Sequence, residues 1–240
     1  MLRRLVRAAL RQPKPPPKKY VHSHYLRWLN FANAGILEIG HWHLMDLAVR
    51  ELPTDDPVLE IGSFAGQSTN VLAYFLRQHS RPNPLFTVDP WQFEDTAGLD
   101  TIPESEITFA SYRNLVRDQF LQNVRFWSGD RLPHTIEATS DDFFAAWAAG
   151  EERVDVFERP VRLGGPLSFA FIDGGHTYEQ ARRDFENVDR QLVPGGFVLL
   201  DDSTEEGPFP GVFRVAREAL AAGYELADAN PNHLLRKPLV

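Results

Sequence analysis

Four residues carry the most specific chemistry in the chain: Asp173, His176, Asp201 and Asp202. Asp173 closes the apolar run 167–172, and the Asp201–Asp202 pair closes the run 197–200. Three carboxylates at the ends of two neighbouring strands repel one another unless a cation sits among them. Oxygen donors without a thiolate select Mg2+, Mn2+ or Ca2+ over zinc. The competing reading is that Asp201 and Asp202 only cap a turn before Ser203. His176, three residues past Asp173 at a helix start, is favoured as a neutral imidazole by the helix dipole and is a candidate general base. Asp173 is the other candidate.

A second set lies upstream, in the stretch EIGSFAGQST over 60–69. Gly62 permits a tight turn and close approach of backbone to a ligand, and Gly66 lets a helix begin against the sheet. The stretch lacks the Lys of a P-loop. Phe64 also stands where a dinucleotide fingerprint needs its second glycine, which disfavours a pyrophosphate. Around the turn stand Glu60, Ser63 and Ser68, while Asp89 and Trp91 follow the next apolar run. Glu60 is suited to an amino group and Asp89 to a pair of ribose hydroxyls. A ligand with an amino acid end, a sulfonium and a ribose therefore fits this set better than a dinucleotide does.

These residues need a frame that brings them to one edge. From residue 56 the chain alternates apolar runs with segments of helical period, the pattern of βαβ units and a parallel sheet. The runs 57–62, 84–89, 123–130, 167–173 and 197–202 read as strands. Tyr178, Ala181, Phe185, Val188 and Leu192 recur at helical spacing, as do Val212, Val215, Ala216, Ala219 and Leu220. The runs 224–228 and 233–237 read as a closing antiparallel pair around Asn230-Pro231-Asn232. In an open α/β sheet, ligands bind beyond the carboxyl ends of the strands, and every candidate residue lies there. Segments 91–121 and 141–166 are insertions suited to shaping substrate access. Trp91, Phe93, Phe109, Tyr112 and Trp127 serve either a ring-shaped acceptor or the core.

The chain has 240 residues, 43% hydrophobic and 24% charged, an ordinary composition for one large α/β domain. No apolar run is long enough to span a bilayer. With no cysteine, disulfides, thiolate zinc sites and cysteine nucleophiles are excluded, and a cytoplasmic setting is expected. Segment 1–19 holds seven basic residues and no acid, leaving a net charge of −15 over 20–240. An acidic body argues against nucleic acid as a partner. Residues 1–12 have the pattern of a short basic amphipathic helix, and the prolines of 13–19 make an extended linker. A solvated tail is the plainer reading, and weak contact with a membrane surface or a cleaved targeting segment the sharper ones. Residues 20–55 form a helical extension to the domain that begins at 56.

The segments VLEIGSFAGQST, FTVD and FAFIDGGHTYEQARRDFENVDRQLVPGGFVLLDD together resemble class I S-adenosylmethionine-dependent methyltransferases. Within that class the likeness is to the O-methyltransferases with an Asp-Gly-x-His strand end and a later Asp-Asp pair, similar to metal-dependent enzymes acting on macrolide and aminocoumarin sugars. The resemblance covers 56–202 well, 203–237 loosely and 1–50 hardly at all. It implies a doubly wound, mostly parallel seven-stranded sheet with the last strand antiparallel. It also implies S-adenosylmethionine over Glu60, Gly62, Ser63 and Gly66, its ribose on Asp89 and its adenine near Asp130, with Mg2+ on Asp173, Asp201 and Asp202.

The expected reaction is transfer of the sulfonium methyl to a hydroxyl of a sugar, glycan or natural-product small molecule, aided by a divalent ion that stabilises the alkoxide. Two other classes compete. A nicotinamide-dependent oxidoreductase calls for Tyr-x-x-x-Lys, and the nearest match is Tyr178-x-x-x-Arg182. A non-catalytic binding module on the same sheet is the other. A homo-oligomer is compatible with all three.

Overall fold

The computed structural model describes residues 18–93, 100–129 and 131–239. The basic segment 1–17 and Asp130 lie outside the described residues. Two helices come first, α1 (His24–Ala32) and α2 (Ile39–Arg50). Strands and helices then alternate as β1 (Val58–Ile61), α3 (Gln67–Gln78), β2 (Leu85–Val88), α4 (Phe109–Trp127) and β3 (His134–Ile136). Next come α5 (Ser140–Ala149) and a small hairpin of β4 (Glu152–Val154) and β5 (Pro160–Arg162). The chain closes with β6 (Leu167–Ile172), α6 (Tyr178–Gln191), β7 (Leu192–Leu200), α7 (Pro210–Ala221), β8 (Glu225–Ala229) and β9 (His233–Arg236).

Seven strands form one sheet in the order β3-β2-β1-β6-β7-β9-β8. All run parallel except β9, which pairs antiparallel with β7 and β8. This is the doubly wound sheet with an antiparallel last strand that the resemblance implies. The strands divide their side chains between two cores because successive residues point to opposite faces. Leu59, Ile61, Ala170 and Ile172 join α5, α6 and α7 on one face. Val58, Phe169 and Phe171 join α1, α2 and α3 on the other. Buried on both sides, the strands are continuous apolar runs rather than alternating ones.

One expected strand is absent. Residues 123–127 complete α4, and the strand beside β2 is His134–Ile136. Val116, Phe120 and Val124 are buried at four-residue spacing, the helical repeat, and a strand would have put Val124 and Phe126 on one face. Phe126 is instead exposed. A second difference is smaller: the helix ends at Gln191, ahead of Pro194-Gly195-Gly196, and β7 begins at Leu192.

Candidate active site

The parallel ladder continues one residue past each strand and thereby aligns the site. Gly62 N–H donates to Val88 O at 2.9 Å and Asp173 N–H to Ile61 O at 2.8 Å. Asp201 N–H donates to Ile172 O at 3.0 Å and Asp89 N–H to Ile136 O at 3.3 Å. Asp89, Gly62, Asp173 and Asp201 therefore stand in one row along the carboxyl edge. The chain reverses its direction of winding between β1 and β6, the switch point where such sheets bind ligands. A cavity of about 730 Å3 opens there, walled by Gly62, Ser63, Ser68, Asp89, Asp173 and His176.

Gly62 has φ +86°, and a Cβ there would lie 1.9 Å from the carbonyl oxygen of Asp173, so only glycine lets the first loop meet the end of β6. Phe64 takes φ +44° without being glycine, and Trp91 and Asp202 have φ +46° and +50°. Three strained residues on three site loops fit the tendency of strain to gather at functional positions. Asp89 holds this arrangement in place. Its Oδ2 accepts from the N–H groups of Ser63 at 2.8 Å and Phe64 at 2.9 Å, and its Oδ1 from Trp91 N–H at 2.6 Å. Burial raises its pKa against these donors, and Oδ1 retains a free acceptor site.

Glu60 is wholly buried at the end of β1. Thr69 donates to its Oε2, while its Oε1 and the nearby Ser63 Oγ are buried without a partner. Burial lifts the pKa of Glu60 to about 7, with Ser68 and Thr69 opposing. Unpaired buried acceptors beside a cavity suit a ligand bearing an ammonium or hydroxyl donor. The residues thus fit a cofactor with an amino acid end.

Two expected cofactor residues do other work. Trp91 is fully buried, packs on Phe120 at 5.2 Å between ring centroids, and donates from Nε1 to Phe64 O at 2.8 Å. It braces the loop from behind and is not a cavity wall. Gly66 faces α4, where a Cβ would lie 2.8 Å from Val124 Cγ2. The adenine partner expected at Asp130 lies outside the described residues. With β3 at His134–Ile136, the residues that follow this strand into the cavity wall are Thr139, Ser140 and Asp141.

The acids at the far end form a paired cluster. His41, fully buried on α2, donates from Nε2 to Asp201 Oδ1 at 2.7 Å, and Asn232 Nδ2 donates to the same oxygen at 2.9 Å. Burial pushes Asp201 up, but the hydrogen bond and charge of His41 outweigh it and the net shift is downward. Asp173 moves the other way, raised by burial and then by the charge and hydrogen bond of Asp201. Two adjacent carboxyls cannot both ionise cheaply, and the donors on Asp201 put the upward shift on Asp173. Asp202 Oδ2 lies 3.0 Å from His176 Nε2, whereas Asp173 Oδ1 is 3.8 Å from it. The His176 ring stacks on Phe209 at 4.2 Å.

The expected metal set Asp173, Asp201 and Asp202 therefore does not form. Among the described residues no group of three or more His, Asp or Glu side chains is arranged to hold a metal ion. Asp201 is held by His41 and Asn232, and Asp202 faces His176. In this arrangement the three acids do not fit a divalent cation.

His41, Asn232, Asp184 and the 35–37 loop were not singled out in the sequence. Asp184, buried on α6, accepts from Ser140 Oγ, and burial raises its pKa to about 6. Gln67 ties the N-terminal extension to the cavity, accepting from Leu37 N–H at 3.1 Å and donating to Asn30 Oδ1 at 2.9 Å. The signal that could have found this corner is a cap, Thr139 ahead of Asp141 and Asp142: Thr139 Oγ1 accepts from Asp142 N–H and so starts α5. Tyr178, the oxidoreductase candidate, donates to Glu218 at 2.9 Å and lies outside the cavity wall.

Comparison with solved structures finds the same fold. The O-methyltransferase NovP superposes with TM-score 0.55 at 17% identity, over 83% of this chain and 81% of that one. TomG from Streptomyces achromogenes, an O-methyltransferase of tomaymycin synthesis in complex with SAM, gives 0.55 at 15% over 97% and 95%. CalS11, a calicheamicin methyltransferase, gives 0.54 at 15% over 94% and 99%. A family model described as a methyltransferase domain matches residues 59–203, a span that includes every cavity strand from β1 to β7 and the Asp201–Asp202 pair. The chain belongs to this methyltransferase-domain family.

Proposed function

We propose that this methyltransferase uses S-adenosylmethionine to methylate a hydroxyl group of a sugar or natural-product small molecule. The observation that carries the reading is one cavity with Ser63, Ser68 and Asp89 along one wall and His176 on another, the Glu60 carboxyl lying buried behind the first. NovP and TomG are O-methyltransferases, and a structure of CalS11 bears the description TDP-rhamnose 3'-O-methyltransferase, which supports the acceptor class.

When bound, S-adenosylmethionine supplies a methyl group already activated on a sulfonium. Ser63, with the Glu60 carboxyl buried behind it, would hold its ammonium, and Asp89, through the free site on Oδ1, would hold a ribose hydroxyl. The backbone of Gly62 approaches where a side chain would block. His176 removes the acceptor proton. Its Nε2–H donates to Asp202, which leaves Nδ1 as the basic nitrogen and stabilises the imidazolium that forms. Asp173, whose ionisation the neighbouring Asp201 disfavours, orients the site rather than acting as the base. His41 and Asn232 fix Asp201 from behind. The gain is alignment plus deprotonation. Metal assistance, expected from the three aspartates, carries no step here because they do not fit the ion.

Calorimetric titration of S-adenosylmethionine into the purified protein tests the reading. Micromolar binding followed by methyl transfer to hydroxylated acceptors, and not to their deoxy analogues, is expected. No binding by folded protein would overturn it.

A further inference from the structure

Four exposed large apolar side chains gather at one place. On α1, Trp28 is 69% exposed and Phe31 81%, edge to face at 6.4 Å. Just beyond, Ile36 is 90% and Ile39 45% exposed. Gln67 bonds both Asn30 of α1 and the backbone of Leu37, so the 35–37 loop lies beside the helix. Ile36 also belongs to the cavity wall, so this apolar shelf is the lip of the active site. A contiguous apolar patch of this kind marks an interaction surface.

Charge selects the partner. The body carries −15, yet the segment leading into α1 is purely basic, with Arg3, Arg4, Arg7, Arg11 and Lys14 ahead of Lys18 and Lys19. Arg27 is exposed beside Trp28. The acid at the shelf, Glu38, faces Lys18 at 3.4 Å. An aromatic and aliphatic shelf on a chain whose leading segment is cationic complements a negatively charged lipid surface, with the rings at headgroup level and the cations toward anionic lipid.

We propose that the Trp28, Phe31, Ile36 and Ile39 shelf, together with the basic segment 3–19, docks on an anionic bilayer and turns the cavity mouth toward the lipid headgroups. An acceptor drawn from that layer is then an amphiphile with a hydroxylated head. That corollary rests on the methyl-transfer reading, whereas the docking does not.

The test uses the full chain without cofactor and vesicles of phosphatidylcholine with or without about 30% phosphatidylglycerol. Sedimentation with the anionic vesicles is expected to exceed that with neutral ones at least about ten-fold. Trp28→Ser with Phe31→Ser, and separately Gln in place of Arg3, Arg4, Arg7, Arg11 and Lys14, should each lower it at least about ten-fold. Calorimetry should find S-adenosylmethionine binding of both variants unaltered, which separates this proposal from the functional one. Should the double variant fail to fold, brominated lipid on the native chain gives the answer. Trp42, Trp91 and Trp147 are buried and Trp127 is partly so, so quenching reports Trp28. The proposal falls if the native chain stays in solution, if its fluorescence is not quenched, or if the double variant sediments equally. It also falls if light scattering shows that the double variant halves the particle mass, for the shelf is then a subunit interface.

Discussion

Replacing Glu60 by Gln isolates the consequence of burying a carboxyl with an unpaired oxygen beside the cavity. In the folded protein Glu60 titrates at about 7 against an ordinary 4.5, chiefly because burial disfavours its anion. A folded value above the unfolded one means that its stabilising contribution is complete below the unfolded pKa and is lost as the pH rises through about 7. The full loss corresponds to about 3 kcal/mol, of which about 2 kcal/mol falls between about pH 5 and pH 7. Gln keeps the shape and the acceptor for Thr69 but has no proton to lose. Its amide nitrogen takes the place of an unpaired oxygen, a penalty that does not vary with pH. Urea denaturation of both proteins without cofactor, at a series of pH values, reads the difference directly. The Gln variant should gain on the native protein by about 2 kcal/mol across that interval, while binding S-adenosylmethionine about ten-fold or more weakly. Parallel stability curves would refute the reasoning, since they would mean that Glu60 is already satisfied or ionised in the folded protein.

Three further outcomes are expected. His176→Ala should lower kcat by about 10^2 to 10^4 while leaving the calorimetric affinity for S-adenosylmethionine unchanged, and loss of binding instead would place His176 in the cofactor cradle. Because His41, Asn232 and His176 already engage the acid cluster, turnover after EDTA treatment should stay within about two-fold of the untreated rate. Inactivation reversed by Mg2+ would show that the three aspartates regroup around an ion. Trp91→Ala should destabilise the fold by about 3–5 kcal/mol, measured by urea denaturation, because the indole is fully buried and holds the Phe64 carbonyl. A change below about 1 kcal/mol would return Trp91 to the ligand.

Much of the frame was written locally. Strands buried on both faces are unbroken apolar runs, so 57–62, 84–89, 167–173 and 197–202 were legible, and so was the edge to which they deliver Glu60, Asp89, Asp173 and Asp201. The closing pair around Asn230-Pro231-Asn232 was legible from its turn residues. The run 123–130 misled because a short apolar stretch of β-branched and aromatic residues suits either state, and burial of Val124 beneath Phe120 decided for the helix. The displaced third strand has only three residues, too few to show a period. Types of residue announced acids at the strand ends, but not which acid finds buried partners. That depended on His41 and Asn232, far from Asp201 in the chain and brought to it only by packing of α2 on the sheet and pairing of β9 with β7. Trp91 and Gly66 likewise took core duties that spacing alone cannot distinguish from ligand contact. Local sequence determined the elements and the edge on which they place polar groups, because periodicity and turn chemistry act over a few residues. Tertiary structure alone decided protonation, pairing and the apolar lip at the cavity mouth, because those depend on which distant groups share a low-dielectric space.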